Sequence, residues 1–312
     1  MVTRLKQRIR SGNKGRLEGL AALLLAVALV FGLMPGISLT AYADPVDYPL
    51  WVVGQQVTSE YLSGTGWEFT PGTNTLTLNN ASIDAGPNTS GIKYYKETRG
   101  EPLNIILNGD NTISGNSLTN GIYGDYLGSF TFSGNGTLNT TGKSSGIGSV
   151  FGNVTINSGT IHASGTGNNS GGIYTNGNVT INGGNVETTG ANYGIQTKYG
   201  VSITGGTVTA EAKSNISNDI YAIYDGGGTS ISITGGTVTA KGTSSSNNAY
   251  GLFMGSSGSI TIGSGITSLT ITGTTSASRG KVKNSVVGMG WPTVAGAGDG
   301  TEIAENPERV LY

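Results

Sequence analysis

The apolar positions of this chain alternate with polar ones in short segments that return every 22 to 30 residues. In residues 201–208, Val201 and Ile203 share one parity, and a glycine pair separates them from Val208. Alternation with a period of two is typical of a strand with one buried face. Glycine permits a sharp bend because it reaches positive φ without steric cost. The pattern predicts short β-strands joined by tight turns.

The same phrase occurs eight times, and its copies begin at Leu76, Ile105, Phe130, Val154, Val179, Val201, Ile231 and Ile260. A third apolar point follows within most copies, at Ile92, Ile122, Ile147, Ile173, Ile195, Ile223 and Leu252. Self-similarity with a period in the twenties indicates a solenoid of β-strands. Each copy therefore predicts one turn of the solenoid, or rung, with three short strands.

Stacked rungs would place like residues in columns about 4.8 Å apart, which is the spacing of paired strands. All strands in a column would then run parallel, and parallel connections are right-handed. Helical solenoids are excluded, since no apolar stripe with a 3.6-residue period is present. The sequence predicts an all-β fold, a right-handed parallel β-helix of about eight rungs of 22 to 30 residues.

The chain is expected to have four parts. Residues 1–43 combine a basic start, an apolar run and the triplet Ala41-Tyr42-Ala43, which is typical of a cleaved signal peptide; the alternative is a retained membrane anchor. Residues 44–75 are predicted to be an N-terminal β cap, and residues 76–275 the β-helix. Residues 276–312 lose the repeat and are predicted to be a C-terminal segment or cap. The expected location is outside the cell, secreted or at the cell surface.

Charge and cysteine content limit the classes of partner and of metal site that the chain can have. Six of the 17 basic residues and one of the 18 acidic residues leave with the signal peptide, so the remaining chain has a net charge of −6. This argues against nucleic acid or an anionic membrane as a partner, and no membrane insertion is expected after cleavage. The chain has no cysteine, which excludes disulfides and thiolate metal sites. A monomer is expected.

Candidate catalytic groups are scattered along the repeat. Acids beyond the cap include Asp84, Asp110, Asp125, Glu187, Asp219 and Asp225. Asp84 and Glu187 are expected in one column but four rungs apart, and the single histidine, His162, is interpreted as a solvated residue. Glycoside hydrolysis needs two carboxylates facing one bond. No catalytic residues are predicted. The alternative hypothesis of a polysaccharide lyase or hydrolase requires loops that bring several acids together.

No cofactor is predicted, with one weak metal candidate. The loop that contains Asp219 and Asp225 could bring carboxylates and backbone carbonyls together around Ca²⁺.

The residue after the third apolar point is expected to face outward. Its column contains Lys93, Tyr123, Gly148, Tyr174, Gln196, Tyr224 and Phe253. The predicted ligand-binding residues are Tyr123, Tyr174, Tyr224 and Phe253, because regularly spaced exposed aromatic rings could stack on sugar rings. The alternative is that loops cover these rings or that they fill a groove. A second column, Tyr193, Tyr221 and Tyr250, has the parity of the apolar residues and is expected to form an inward core stack.

Residues 48–58 (YPLWVVGQQVT) and 64–81 (GTGWEFTPGTNTLTLNNA) resemble secreted pectate-lyase-like β-helix proteins of Gram-positive bacteria, often described as carbohydrate-binding domain proteins. The resemblance extends over about residues 46 to 300. It implies a cell-surface β-helix that binds plant or host polysaccharide without cutting it. The resulting hypothesis is non-catalytic binding of a polysaccharide or of a host or cell-wall glycan. The alternative is a structural or adhesive surface solenoid without a glycan site.

Overall fold

The computed structural model describes residues 44–115, 119–214, 218–255 and 258–273, together with the backbone of Ser276–Asn284, Val294–Gly296 and Val310–Leu311. The predicted signal peptide, residues 1–43, lies outside the described residues. In the described part, strands are joined by turns and loops, with one short 3-10 helix at Pro71–Thr73. That part contains no helix long and apolar enough to cross a bilayer.

The strands are numbered in chain order. The N-terminal ones are β1 Asp47–Val52, β2 Gln55–Thr58, β3 Ser63–Gly64, β4 Trp67–Thr70, β5 Thr75–Asn79, β6 Ser82–Asp84, β7 Ile92–Lys96, β8 Leu103–Asn108 and β9 Asp110–Ser114. The middle ones are β10 Ile122–Tyr126, β11 Phe130–Gly134, β12 Thr137–Gly142, β13 Ser145–Ser149, β14 Val154–Ile156, β15 Thr160–Gly165, β16 Gly171–Thr175, β17 Val179–Ile181, β18 Asn185–Gly190 and β19 Tyr193–Thr197. The last ones are β20 Val201–Ile203, β21 Thr207–Lys213, β22 Ile220–Asp225, β23 Ser230–Thr243, β24 Ala249–Met254, β25 Ser259–Gly273, β26 Ser276–Asn284, β27 Val294–Gly296 and β28 Val310–Leu311.

These strands stack in three parallel columns, as the repeat predicts. The first column contains β5, β8, β11, β14, β17, β20 and the first halves of β23 and β25. The second contains β6, β9, β12, β15, β18, β21 and the second halves of β23 and β25. The third contains β7, β10, β13, β16, β19, β22, β24 and β26. The all-β, parallel β-helix prediction is confirmed.

The core is a set of apolar columns inside the coil. In the third column Ile147, Ile173, Ile195 and Ile223 are in register and fully buried. Each such side chain contributes about 1.5–3 kcal/mol when taken out of water. One rung alone could not bury them, so stability comes from stacking on neighbouring rungs. The bend between the first two columns is made by glycine, since Gly206 has a φ of 82°.

Antiparallel strands cover the edges of the first rung. β1 pairs antiparallel with β7, which places Leu50 opposite Tyr94, and β4 pairs antiparallel with β5, which places Phe69 opposite Leu76. All four of these side chains are buried. An uncovered edge would expose unpaired backbone groups to other chains. Residues before the first rung therefore close the N-terminal end of the coil.

The second column is shifted by two residues at its N-terminal end, together with the first column, where Leu103 and not Ile105 is in register with Phe130. Asn111, not Ile113, is in register with Leu138, and Ile113 is in register with Thr140. Asn111 is fully buried. Its Oδ1 accepts a hydrogen bond from the backbone N–H of Ala81 at 2.8 Å, and its Nδ2 donates to backbone carbonyls at 3.0–3.3 Å. Asn111 can therefore occupy a position that is apolar in other rungs, because it forms hydrogen bonds with backbone groups of the turn.

This shift corrects the expected column of acids. Asp84 is in register with Ser114, whose hydroxyl donates to the Asp84 carboxylate. Glu187 is in register with His162. Their column lies two residues before the column of Asp84 along the strands. The prediction that Asp84 and Glu187 share a column is therefore wrong.

Parallel pairing continues past residue 275. β26 pairs with β24 and then with β25, and β27 pairs with the second half of β25. β28 pairs antiparallel with β26. The strands described in residues 276–312 therefore extend the sheets of the coil.

Candidate functional site

A pocket of about 700 Å³ lies where β16, β19 and β22 begin. Because the three strands are parallel and adjacent, their N-terminal ends and the loops before them meet at one edge. The residues that line the pocket are tyrosines, amides and one carboxylate: Tyr174, Tyr193, Tyr221, Asn169, Asn192, Asn218, Gln196 and Asp219. We call this site the tyrosine–amide pocket.

The pocket exists because a short rung lies between two longer ones. The rung that begins at Val179 has 22 residues, the fewest of the series. The loop before β19 comprises only residues 191–192, whereas those before β16 and β22 comprise residues 166–170 and 214–219. Across this gap Asn218 Nδ2 donates to Asn169 Oδ1 at 2.8 Å, and Asn192 Nδ2 donates to the Asp219 carbonyl at 3.2 Å. The two outer loops are therefore tied together above the short rung.

One side of the pocket is the end of a tyrosine stack. Tyr193, Tyr221 and Tyr250 are in register on consecutive rungs. Their ring centroids are 5.7 Å and 5.5 Å apart, with interplanar angles of 11° and 10°. The residue in register before Tyr193 is Gly171. Within the described residues, the Tyr193 ring contacts only rings of the following rung, so its face towards Gly171 has no aromatic partner.

The expectation that Tyr193, Tyr221 and Tyr250 form an inward core stack is half right. They stack, but Tyr193 and Tyr221 are only half-buried and face the pocket. The two-residue alternation fails because Ala222 and Ile223 are both fully buried. Tyr221 and Tyr224 therefore lie on the same outer side, with ring centroids 4.7 Å apart.

The structure brings three of the four predicted binding residues to this region. Tyr174 lines the pocket. Tyr224 stacks on Tyr193 at 5.5 Å, and Phe253 packs edge-on against Tyr221 at 4.7 Å. Tyr224 and Phe253 thus support the lining rings from the next rungs. Tyr123 is separate, since Gly148 lies between it and Tyr174 in the column and its hydroxyl faces Asp125 at 3.4 Å.

Sequence reasoning did not select the remaining lining residues: Asn169, Asn192, Tyr193, Gln196, Asn218 and Tyr221. The short repeat was the available signal, because a rung with a shorter loop than its neighbours leaves a recess.

The chemistry of the lining is polar, aromatic and almost uncharged. Among the described residues that line it, only Asp219 is charged. Burial raises the pKa of the Tyr221 hydroxyl, and the Asp219 carboxylate raises it further. Burial also raises the pKa of Tyr193. Both phenols therefore stay neutral at ordinary pH and act as hydroxyl donors and acceptors.

Two amides retain unused hydrogen-bonding capacity. Within the described part, Asn192 Oδ1 and Gln196 Oε1 are buried and accept no hydrogen bond. Such groups are costly, because water that solvated them in the unfolded chain is not replaced. The half-buried Gln196 side chain can relieve this cost by turning towards a ligand in the pocket.

Asp219 and Asp225, the candidate residues for Ca²⁺, lie apart. The two residues flank opposite ends of β22, about 20 Å apart along an extended strand. Asp225 is fully buried, and its Oδ2 accepts hydrogen bonds from the backbone N–H groups of Thr229 at 2.6 Å and Ser230 at 2.9 Å. This carboxylate is therefore used to hold the following turn.

The other acids are dispersed in pairs. Lys93 Nζ lies 2.8 Å from Asp125 Oδ2, and His162 Nδ1 lies 2.9 Å from Glu187 Oε2. In the described ranges, no group of three or more His, Cys, Asp or Glu residues is placed to hold a metal ion. The absence of catalysis stays a prediction.

No family model matches the chain, and searches of curated proteins and of solved structures found no match. The resemblance to secreted pectate-lyase-like proteins therefore stays a prediction. The class that the structure defines is a parallel β-solenoid. Its distinguishing feature is an open pocket of tyrosines and amides on one edge of the third column.

Proposed function

We propose that this protein binds carbohydrate without cleaving it, at the tyrosine–amide pocket. The observation that carries the proposal is the unpartnered face of Tyr193 at the end of a tyrosine stack, surrounded by amides. Sugar rings have apolar C–H faces that pack on aromatic rings and hydroxyls that both donate and accept hydrogen bonds. Amide and phenol groups offer both roles, which suits such a ligand.

The polar groups of the pocket fit hydroxyl recognition in detail. Gln196 has no hydrogen-bond partner at Oε1 within the described residues, so it can accept from a sugar hydroxyl. Asn169 and Asn218 bond to each other through one donor and one acceptor, which leaves the remaining amide groups for a ligand. Aromatic surface supplies contact area, and the amides fix orientation.

The expected partner is a polysaccharide or a host or cell-wall glycan outside the cell. This part of the proposal depends on residues 1–43 acting as a signal peptide.

The test is calorimetric titration of the purified protein with a panel of soluble polysaccharides and oligosaccharides. Tyr193→Ala should weaken binding at least about tenfold, which corresponds to about 1.4 kcal/mol. The matched control is Tyr199→Ala, since Tyr199 is 53% exposed and lies at the other end of β19, outside the pocket lining. If no glycan binds the unaltered protein, the proposal fails and a structural or adhesive solenoid becomes the better hypothesis.

A further inference from the structure

We infer that the occupant of the tyrosine–amide pocket is an uncharged sugar ring that lies over Gly171, where the next ring of the tyrosine stack would be. This inference rests on the proposed function and specifies its ligand. It follows from two independent observations: the interruption of the stack by a glycine and the charge of the pocket lining.

The backbone conformation at position 171 does not require a glycine, and the glycine there is buried. Gly171 does not have a positive φ. A Cβ placed on it would lie 3.4 Å from Tyr193 Cβ, which is ordinary van der Waals contact. The next residue differs, since a Cβ on Gly172 would lie 2.7 Å from Thr188 Cβ. A Cβ atom therefore fits at position 171 and is excluded at position 172.

The register of the stack sets the position that one more ring would take. Successive tyrosines of the stack have centroids 5.5 Å and 5.7 Å apart, near the spacing of about 4.8 Å between strands. The same step from Tyr193 towards the preceding rung leads to the position over Gly171. A pyranose ring is close in size to a phenol ring, so it can occupy that step and pack on the open face of Tyr193.

The charge of the lining selects against acidic glycans. The described residues of the lining contain the Asp219 carboxylate and neither lysine nor arginine. A uronic acid carboxylate brought beside Asp219 would meet a like charge, and no cation in the lining would compensate for its lost hydration. Neutral glycans should therefore bind better than polyuronates with similar linkages.

The decisive variant is Gly171→Tyr, which would place a fourth ring in the stack. It should fold, as judged by circular dichroism and thermal unfolding, and lose affinity for a neutral oligosaccharide by at least about tenfold. Gly171→Ala is the matched control, because a methyl group fits without filling the ring position; it should change affinity less than about threefold. If the tyrosine variant does not fold, Gly171→Leu offers a smaller side chain in the same space.

The expected preference for uncharged glycans is tested in a separate experiment. The unaltered protein should bind neutral oligosaccharides in preference to an oligogalacturonate of equal length. Asp219→Asn should raise the affinity for the oligogalacturonate about three- to tenfold relative to the affinity for the neutral oligosaccharide.

The outcomes separate this inference from the proposed function. Glycan binding that survives in folded Gly171→Tyr and Gly171→Leu overturns the position over Gly171 and leaves carbohydrate binding intact. Preference for the oligogalacturonate overturns the uncharged ligand. Failure of every glycan to bind the unaltered protein overturns the proposed function itself.

Discussion

Asn218 donates its side-chain amide to the side-chain carbonyl of Asn169, 49 residues earlier in the chain and two rungs away, at 2.8 Å. The rung between them has the shortest repeat of the series, so the two loops meet above it. A contact between rungs that are not neighbours is unusual in a solenoid, where each rung contacts the next. This hydrogen bond defines the outer wall of the tyrosine–amide pocket.

We expect Asn169→Ala and Asn218→Ala to have effects that are not additive. Each removes the same hydrogen bond, worth about 0.5–1.5 kcal/mol, so each should weaken glycan binding about two- to tenfold. The double variant should be little worse than either single variant. Calorimetry on the four proteins measures the coupling, and hydrogen exchange should show faster exchange in the loop before β22.

Asn182→Ala is the control for this cycle. Asn182 Nδ2 donates to Asn157 Oδ1 at 2.9 Å on the first column, away from the pocket. Its loss should leave glycan affinity unchanged. Additive effects of the two pocket substitutions would show that the asparagines act on the ligand separately.

Asn111→Val should destabilise the protein although it restores the apolar residue expected from the repeat. The substitution leaves the buried Ala81 N–H without its hydrogen-bond acceptor and removes the three hydrogen bonds from the Asn111 amide to backbone carbonyls. Each unsatisfied buried group costs about 1–3 kcal/mol, so a loss of at least about 2 kcal/mol is expected. Urea unfolding followed by circular dichroism measures the change.

Ile161→Val serves as the comparison for Asn111→Val because Ile161 occupies the same column and is fully buried. It should cost only about 0.5–1.5 kcal/mol. An Asn111→Val protein as stable as the unaltered one would refute the role of this asparagine in satisfying the turn backbone.

Asp225→Asn should change how stability depends on pH. Burial raises the pKa of Asp225 above its ordinary value of 3.8, and the backbone N–H groups of Thr229 and Ser230 oppose this shift only in part. The folded protein therefore holds this proton more tightly than the unfolded chain. Between pH 3.8 and the raised folded pKa, stability contributed by this group is present at low pH and is lost as pH rises.

The asparagine variant lacks this titration, so its stability relative to the unaltered protein should increase as pH rises from about 3.5 to 7. Urea unfolding of both proteins across that range gives the difference, which cancels the contributions of other acids. A difference that is constant with pH, or that decreases as pH rises, would contradict the raised pKa.

Ile195→Ala should cost about 2–5 kcal/mol, because Ile195 is fully buried in the third column between Ile173 and Ile223. Since coupling passes between neighbouring rungs, thermal unfolding should move to lower temperature as a whole. Ser202→Ala, on the outward face of the next rung, should change stability by less than about 0.5 kcal/mol. Equal losses for the two substitutions would contradict the assigned faces.

The columns of the coil were predictable because each rung repeats the same packing. Val201 and Ile203 repeat the residues of the preceding rung, and like residues stack in the structure. The pocket was harder to predict. Two-residue alternation placed Tyr221 inside, but the small residue Ala222 turns inward beside Ile223, and Tyr221 remains outside with Tyr224. A small residue before each third apolar point is the physical signal of that irregularity.

The N-terminal shift could not be derived from the repeat for a different reason. Leu138 equally matches Asn111 or Ile113 when only spacing is considered, and apolar character favours Ile113. In the structure the whole rung is shifted, because Leu103 is in register with Phe130 and Asn111 with Leu138, and hydrogen bonds to turn backbone allow Asn111 to be buried there. Here a buried polar side chain replaces an apolar one because it forms hydrogen bonds with the backbone. Whether it can do so depends on atomic positions, which the period of the sequence does not specify.

The pocket draws its walls from three consecutive rungs, those of Asn169, Asn192 and Asn218. Its distance from the N-terminal cap is therefore a whole number of turns. Deleting one complete rung between the cap and the pocket would bring the two about 4.8 Å closer and leave the pocket walls as they are. In this architecture the distance between the N-terminal cap and a binding site depends on the number of rungs between them. Chains with different numbers of repeats could therefore present the same site at different distances from the cap.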